Sequence, residues 1–210
     1  MAGMMGLFAS FRRAAPIGDP AALSAFLDRH AAFMVQKCIY EYARARSGLL
    51  STKLLEEPAF KTAAERAKWR NYPLCLQGLA VMAEGVLRPH ADDGGALAAG
   101  VAEAAGTVCR GYEPPPGAAF DFWEKAEAAI ADRLIGGAGS PPCAVKDIPI
   151  ETAEAFFANL PIHPDLRSYD FRLVTNNQRA NLLRAYEAFL KEAEPSRLAH
   201  RLAATAPERG

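Results

Sequence analysis

The residues best suited to chemistry are three charged side chains that follow one another along a strongly helical stretch. Lys37, Glu41 and Arg44 recur at spacings of four and three, so they share one side of an α-helix. Earlier in the stretch the same side carries leucine, phenylalanine and methionine, which indicates a side that faces the core. Charges on such a side must pair or line a polar pocket, because an unpaired buried charge is strongly unfavourable.

Two interpretations of this charged trio stay open. In the first, it forms a partly exposed ion cluster where the helix leaves the bundle, with Glu41 reaching both cations. In the second, it forms the floor of an interior pocket for a small apolar ligand or cofactor, with His30, Lys37 and Glu41 as polar anchors. The second interpretation would allow catalysis, but the sequence specifies neither a cofactor nor a catalytic residue.

A second group of candidates combines aromatic rings with cations. On a helical wheel Trp69 points away from the apolar side of its helix, so it packs on two sides or offers its ring to a partner. Tryptophan, tyrosine and arginine are the residue types that carry most binding energy at interfaces. If this helix pairs with the preceding one as an antiparallel hairpin, a shared patch can form. Its six members are Arg44, Arg46, Lys68, Trp69, Arg70 and Tyr72.

Local signatures of catalysis and metal binding are absent from the sequence. There is no glycine-rich dinucleotide loop, no Walker loop, no H-E-x-x-H and no G-x-S-x-G. No histidine follows a glutamate by three residues, as in di-iron bundles, and the four cysteines form no C-x-x-C pair. The sequence therefore predicts no metal site. A haem held by a single histidine needs no local motif and stays open, as does a catalytic set gathered from distant helices.

The composition indicates one globular domain without a nucleic-acid partner. Half of the 210 residues are hydrophobic, and 24 basic residues balance 24 acidic ones. Residues 91–165 carry a net charge of −8 between two basic parts. Three interpretations stay open: solvated helix faces of mixed charge, packing of these parts against each other, and contact of one part with a charged partner. No apolar run reaches the ~18 residues of a membrane span. Unpaired cysteines are typical of a reducing compartment, and we predict a cytoplasmic location.

The elements that must position the candidates are helices throughout. Asp19 and Pro20 begin the first helix, which is apolar on nearly every side from Phe33 to Tyr42, as expected of a helix that others enclose. Pro73 is expected to kink or break the next helix, leaving residues 74–87 as a separate one. No alternating run is long enough for a sheet. The sequence predicts an all-α, single-domain bundle of six or seven helices around a buried N-terminal central helix.

Two further patterns concern helix packing. Gly78 and Gly85, seven residues apart, predict a groove where another part of the chain comes close. Thr175 and Gln178 have the spacing of a capping box, which predicts that a helix begins there. The side of that helix expected to be buried consists of Leu182, Leu183, Tyr186, Phe189 and Leu190.

The helical domain is predicted over residues 19–205, with the Gly/Pro-rich loop 136–149 as a candidate subdomain boundary. Residues 1–18 form a flexible or amphipathic N-terminal segment with two arginines and no acid. Three interpretations of its amphipathic residues 4–13 stay open: docking on the chain's own core, peripheral contact with a membrane, and an organelle-targeting peptide.

The leading functional hypothesis is a non-catalytic helical protein-binding module that acts as an adaptor, assembly factor or regulator. It would bind a protein partner through the aromatic–cationic patch. The alternative is a bundle that holds a small apolar ligand or cofactor in an interior pocket. A covered Trp69 would count against the patch, and a tightly filled interior would count against the pocket.

Overall fold

The computed structural model describes residues 16–161 and 164–205, so the predictions for residues 4–13 lie outside the described residues. The described parts are helical and contain no sheet; one isolated bridge joins Ile17 to Ala193. The predicted all-α, single-domain bundle is confirmed. Across the described ranges, no helix combines the length and the apolar character that crossing a bilayer requires.

Eight α-helices occupy the described residues, and six of them have ten residues or more. In chain order they are α1 (Pro20–Ser47), α2 (Ser51–Glu56), α3 (Pro58–Leu87), α4 (Gly94–Arg110), α5 (Phe122–Gly137), α6 (Ala153–Asn159), α7 (Pro164–Glu192) and α8 (Pro195–Ala204). Proline is the first residue of α1, α3, α7 and α8, where its fixed φ suits the helix and its missing N–H costs nothing.

The central helix α1 begins as its sequence predicts. The Oδ1 atom of Asp19 accepts a hydrogen bond from the Ala22 N–H at 2.9 Å, and Gly48 ends the helix with a φ of +51°. Met34 and Cys38 are buried at 4% and 1% exposure. The expectation that α1 is enclosed on every side is wrong at Phe33, which is 53% exposed. Neighbouring helices cover a wide arc of α1 but leave one side open.

The expected break at Pro73 does not occur, because α3 runs without interruption from Pro58 to Leu87. The residues around the proline are held by packing: Tyr72 is 2% exposed, Cys75 4% and Leu76 0%. A proline removes one intrahelical hydrogen bond and crowds the preceding turn. Burial of Tyr72, Cys75 and Leu76 against the core offsets that cost.

The groove predicted at the two glycines of α3 is occupied by the Gly/Pro-rich loop. A Cβ atom on Gly78 would meet Ile148 at 3.7 Å, and one on Gly85 would meet Pro142 at 3.4 Å. The loop after α5 therefore lies along α3 over both glycines. A subdomain boundary in residues 136–149 stays a prediction.

The predicted start of α7 at Thr175 is wrong, because the helix already begins at Pro164. The Thr175 hydroxyl donates to the Phe171 carbonyl at 2.9 Å, the bond of a threonine inside a helix. The buried side is also rotated relative to the prediction, since Leu183 and Leu190 are 39% and 52% exposed. The side that packs on the bundle consists of Val174, Gln178, Leu182, Ala185 and Phe189.

Candidate functional site

The open side of α1 carries the candidate site. Six residues at spacings of three and four form what we call the α1 stripe: Phe33, Gln36, Lys37, Tyr40, Glu41 and Arg44. They line a shallow groove of about 390 Å³. The same side is covered in the first half of the helix, where Phe26 is 1% exposed. The charged trio of the sequence therefore lies where the covering ends.

Aromatic rings and cations alternate along the α1 stripe. The Lys37 ammonium lies 5.6 Å from the ring centroid of Phe33 and 2.6 Å from Oε1 of Glu41. The Tyr40 ring packs edge to face on Phe60 of α3, with centroids 6.3 Å apart. Arg44 is exposed and forms no ion pair with any described residue. The stripe thus combines an exposed ring with a cation that remains free to pair.

The electrostatics of the α1 stripe keep Glu41 ionised. The hydrogen bond from Lys37 lowers the pKa of the Glu41 carboxyl, a hydrogen bond from Asn177 and the charge of Arg184 add to this effect, and partial burial opposes it. With Lys37, Glu41 and Arg44 all charged, the stripe carries one net positive charge at neutral pH. It suits a partner with a negative group beside an apolar one.

The predicted partner-binding residues fall into two separate groups. The Tyr72 hydroxyl donates to Oδ1 of Asp28 at 2.6 Å, so Tyr72 is level with Asp28 on α1. Arg44 lies about 24 Å further along the helix axis, at 1.5 Å per residue. The α1–α3 hairpin therefore holds Arg44 and Arg46 towards one end and residues 68–72 towards the other.

Arg46 is already engaged with a buried acid. Its Nε lies 2.5 Å from Oδ2 of Asp170, a residue of α7 with 5% exposure. The Tyr42 hydroxyl donates to the same oxygen at 2.6 Å. Burial raises the pKa of Tyr42 to about 12, and the neighbouring carboxylate contributes to the increase. Arg46 and Tyr42 together join the end of α1 to the first half of α7.

Residues 69 and 72 belong to a packed aromatic cluster that also contains Tyr112 and Trp123. The six centroid distances among these four rings range from 5.5 to 6.2 Å. Several pairs meet edge to face, so the rings fill the space between them with one another. The cluster packs α3, the segment at the end of α4 and α5 against one another. It does not form an aromatic cage for a cation.

Asp28 joins α1 to this cluster. Its Oδ1 accepts hydrogen bonds from the hydroxyls of Tyr72 at 2.6 Å and Tyr112 at 2.7 Å. Burial raises the pKa of Tyr72, and the Asp28 carboxylate raises it further. Both hydroxyls therefore stay protonated and act as donors. Their positions tie three helices together through one carboxylate.

The cations beside the cluster are more accessible than its rings. Tyr72 is 2% exposed, whereas Trp69 is half-buried and Arg70 is exposed without an ion pair to any described residue. The Lys68 ammonium lies 4.9 Å from the Trp69 ring centroid and 2.6 Å from Oε1 of Glu65. Within the predicted patch, the side chains that a partner can reach on α3 are mainly those of Lys68 and Arg70.

The three residues proposed for an interior ligand pocket do not share one cavity. Lys37 and Glu41 line the open groove of the α1 stripe. His30 is half-buried, and the centroid of its ring lies 4.2 Å from the centroid of the Phe26 ring. Burial lowers the pKa of His30, the Arg29 charge lowers it further, and Glu192 opposes them. A ligand anchored by these three residues stays a prediction.

A second, half-enclosed cavity of about 380 Å³ lies between α3, α5 and the loop that follows α5. Its deepest charge is Glu84, 3% exposed, whose carboxylate is held by the Arg88 guanidinium through two hydrogen bonds of 2.7 Å. Arg88 also donates to the carbonyls of Gly137 and Ser140. The ion pair therefore holds the loop on α3, and its groups already satisfy one another.

Comparisons with protein-family models, with curated proteins and with solved structures find no match for the chain. Within the described ranges, no three side chains from His, Cys, Asp and Glu gather in a way that could hold a metal ion.

The site residues that sequence reasoning missed are Phe33 and Tyr40, which it assigned to an enclosed helix. Their spacing of seven, with Lys37 and Arg44 between and after them, was the available signal. Both aromatic residues occur on the same side of α1 as these cations. A mixed aromatic and charged side is typical of an exposed side rather than an enclosed one.

Proposed function

We propose that the chain is a non-catalytic protein-binding module, an adaptor, assembly factor or regulator, whose partner binds along the α1 stripe. The observation that carries the proposal is the exposure of Phe33, 53%, midway along a helix that is otherwise the centre of the bundle. A phenylalanine exposed to that degree is stabilised when a partner covers it, by about half of the roughly 1.5–3 kcal/mol that burying a fully exposed ring contributes.

The geometry around Phe33 supports binding to a protein segment. Arg44 and the Phe33 and Tyr40 rings are the residue types that dominate interface energies. Because α1 is held on its other sides by α3, α4 and α7, the stripe is ordered before it meets a partner, which lowers the entropic cost of binding. The net positive charge of the stripe favours a partner segment with an acidic residue next to an apolar one.

The second part of the predicted patch, Lys68, Trp69 and Arg70 on α3, is proposed as a separate contact region. Arg70 is exposed, and the half-buried Lys68 lies over the Trp69 ring, 4.9 Å from its centroid. We further propose a cytoplasmic location. The four thiols are free and three of them are buried, which supports a reducing compartment.

The test is an affinity capture that compares the parent with matched surface variants. Phe33→Ala/Arg44→Glu removes the exposed ring and reverses the free cation. Leu49→Ala/Leu50→Ala removes two leucines, 103% and 68% exposed, from the turn after α1 and serves as the control. Partners that the parent and the control capture are expected to be lost from the stripe variant, provided that its circular dichroism is that of the parent.

Capture of the same proteins by all three forms would refute a binding role for the α1 stripe. Lys68→Ala/Arg70→Ala tests the α3 region in the same experiment. We leave Trp69 in place there, because it packs on Tyr112 and Trp123 and its removal would disturb the fold.

A further inference from the structure

The outward side of α7 carries a regular apolar pattern that the core does not use. Tyr169, Leu173, Leu183 and Leu190 are 81%, 48%, 39% and 52% exposed. Together with the exposed Asn176, Ala180 and Glu187 they follow one another at spacings of four and three, over about 32 Å of helix. We call this row the α7 face. Residues at alternating spacings of four and three form the seam of a coiled coil, which is the row that packs against a second helix.

The opposite side of α7 is fully committed to the bundle. Leu182, Ala185 and Phe189 are exposed by no more than 1%. The α7 face is therefore presented on a helix that is already folded and anchored, and a second helix could pack on it without ordering it first.

Most of the residues that flank the α7 face are basic. The basic ones are Arg172, Arg179, Arg184 and Lys191, beside the uncharged Asn177 and Tyr186, and none of the four forms an ion pair with a described residue. Arg179 donates to the Lys146 carbonyl at 2.9 Å, and Arg184 donates to Oδ1 of Asn181 at 3.0 Å, so two of the four are held beside the row. The nearby acids Asp170 and Glu192 already pair with Arg46 and Arg29.

We propose that the α7 face is a docking surface for an acidic amphipathic helix of a partner protein, with aliphatic residues on its seam and glutamate or aspartate on its flanks. The basic flanks attract such a helix, because opposite charges at flanking positions choose the partner in a coiled coil. A second copy of the chain is disfavoured, since it would set basic flanks against basic flanks. An anionic membrane is disfavoured by Glu187, which lies in the row between Leu183 and Leu190 and would have to enter the bilayer surface with them.

The test uses two synthetic peptides of about four heptads with leucine at every seam position. One carries glutamate at the flanking positions and the other carries lysine. Like charges on both flanks keep each peptide from pairing with itself. Fluorescence anisotropy with the full chain is expected to show binding of the acidic peptide, weakened by added salt, and binding of the basic peptide that is at least about tenfold weaker.

Variants connect the binding to the α7 face. Leu183→Glu/Leu190→Glu places two acids on the row and is expected to lower the affinity for the acidic peptide by about tenfold or more. Leu49→Glu/Leu50→Glu makes the same change at exposed leucines away from α7 and is expected to bind as the parent does. Equal affinities for the two peptides, no binding of the acidic one, or full binding by the α7 variant would each overturn the proposal.

Vesicles of phosphatidylserine and phosphatidylcholine form the last arm of the experiment. Binding to them that the α7 variant loses would assign the row to a membrane and would also overturn the proposal. The result is separable from the role of the α1 stripe, because Phe33→Ala/Arg44→Glu leaves every residue of the α7 face unchanged.

Discussion

Replacing Gly100 by alanine tests whether backbone contact between α4 and α8 holds the C-terminal helix in place. A Cβ atom at Gly100 would lie 2.6 Å from the carbonyl carbon and 3.0 Å from the Cα of Leu202, and closer still to the carbonyl oxygen. Carbon atoms in favourable contact are roughly 3.5–4.0 Å apart. The atoms that would have to move belong to a helix backbone, so the whole of α8 must shift by about 1 Å.

Two opposing effects set the size of the change. Alanine is favoured over glycine inside a helix by about 1 kcal/mol. Overpacking costs roughly 1–3 kcal/mol, and more if α8 separates from α4, because Leu198 and Leu202 are fully buried and each contributes roughly 1.5–3 kcal/mol. A contact with backbone belongs at the upper end of the overpacking range. We expect a net loss of about 2 kcal/mol in the free energy of unfolding.

Gly136→Ala is the matched control. Gly136 lies in α5, and a Cβ atom added there would have no neighbouring atom within 4 Å, so only the helix preference acts at this position. Thermal unfolding followed by circular dichroism is expected to show a Tm lower by about 4–8 °C for Gly100→Ala and an equal or higher Tm for Gly136→Ala. If Gly100→Ala were as stable as the parent, the close approach of α4 and α8 would be refuted.

Three further predictions concern polar groups at helix contacts. Arg88→Ala is expected to lower the free energy of unfolding by about 3 kcal/mol in urea, because it leaves the buried Glu84 carboxylate unpaired. A Glu84→Met/Arg88→Met double variant should recover most of that loss, and failure to do so would contradict the ion-pair explanation. Asp28→Ala removes the acceptor of two tyrosine hydroxyls and is expected to cost about 2–3 kcal/mol. Asp28→Asn keeps an acceptor and should cost less in the same thermal assay; equal losses would argue against the hydrogen bonds. Burial lowers the pKa of His30 below 6.5, so the unfolded chain takes up a proton at this histidine more readily than the folded chain does. The folded state is therefore stabilised above pH 6.5, and this stabilisation is lost as the pH falls through the lowered pKa. His30→Gln is expected to reduce the difference in unfolding free energy between about pH 7.5 and about pH 5, and an undiminished difference would exclude this histidine as the cause.

Local features of the fold were predictable from the sequence because their causes lie within a few residues. The cap at Asp19 depends on a hydrogen bond within one turn of α1. Asp93 similarly begins α4, where its Oδ1 accepts from the N–H groups of Gly95 and Ala96. The two small residues Gly78 and Gly85 predicted a groove on α3, although not which segment would fill it.

The candidate site was only partly predictable. The trio of Lys37, Glu41 and Arg44 was singled out from its spacing, and these residues do lie together on α1. The sequence predicts Phe33 to lie in the core, because hydropathy alone does not distinguish a phenylalanine that is covered from one that is not. The six residues of the predicted patch do not come together, because α1 is long enough to place Arg44 about 24 Å along its axis from the level of Tyr72.

The sequence by itself determined that this chain is helical, where α1 begins, and which side of α1 carries charge, since propensity, capping and periodicity act over one or two turns. Only the tertiary structure decided that α3 continues through Pro73, that α7 turns Leu183 and Leu190 outwards, and that Phe33 is left uncovered. These outcomes depend on which helices pack against each other. That choice minimises the free energy of the whole bundle, so a side chain can be exposed or a helix continued against its local preference.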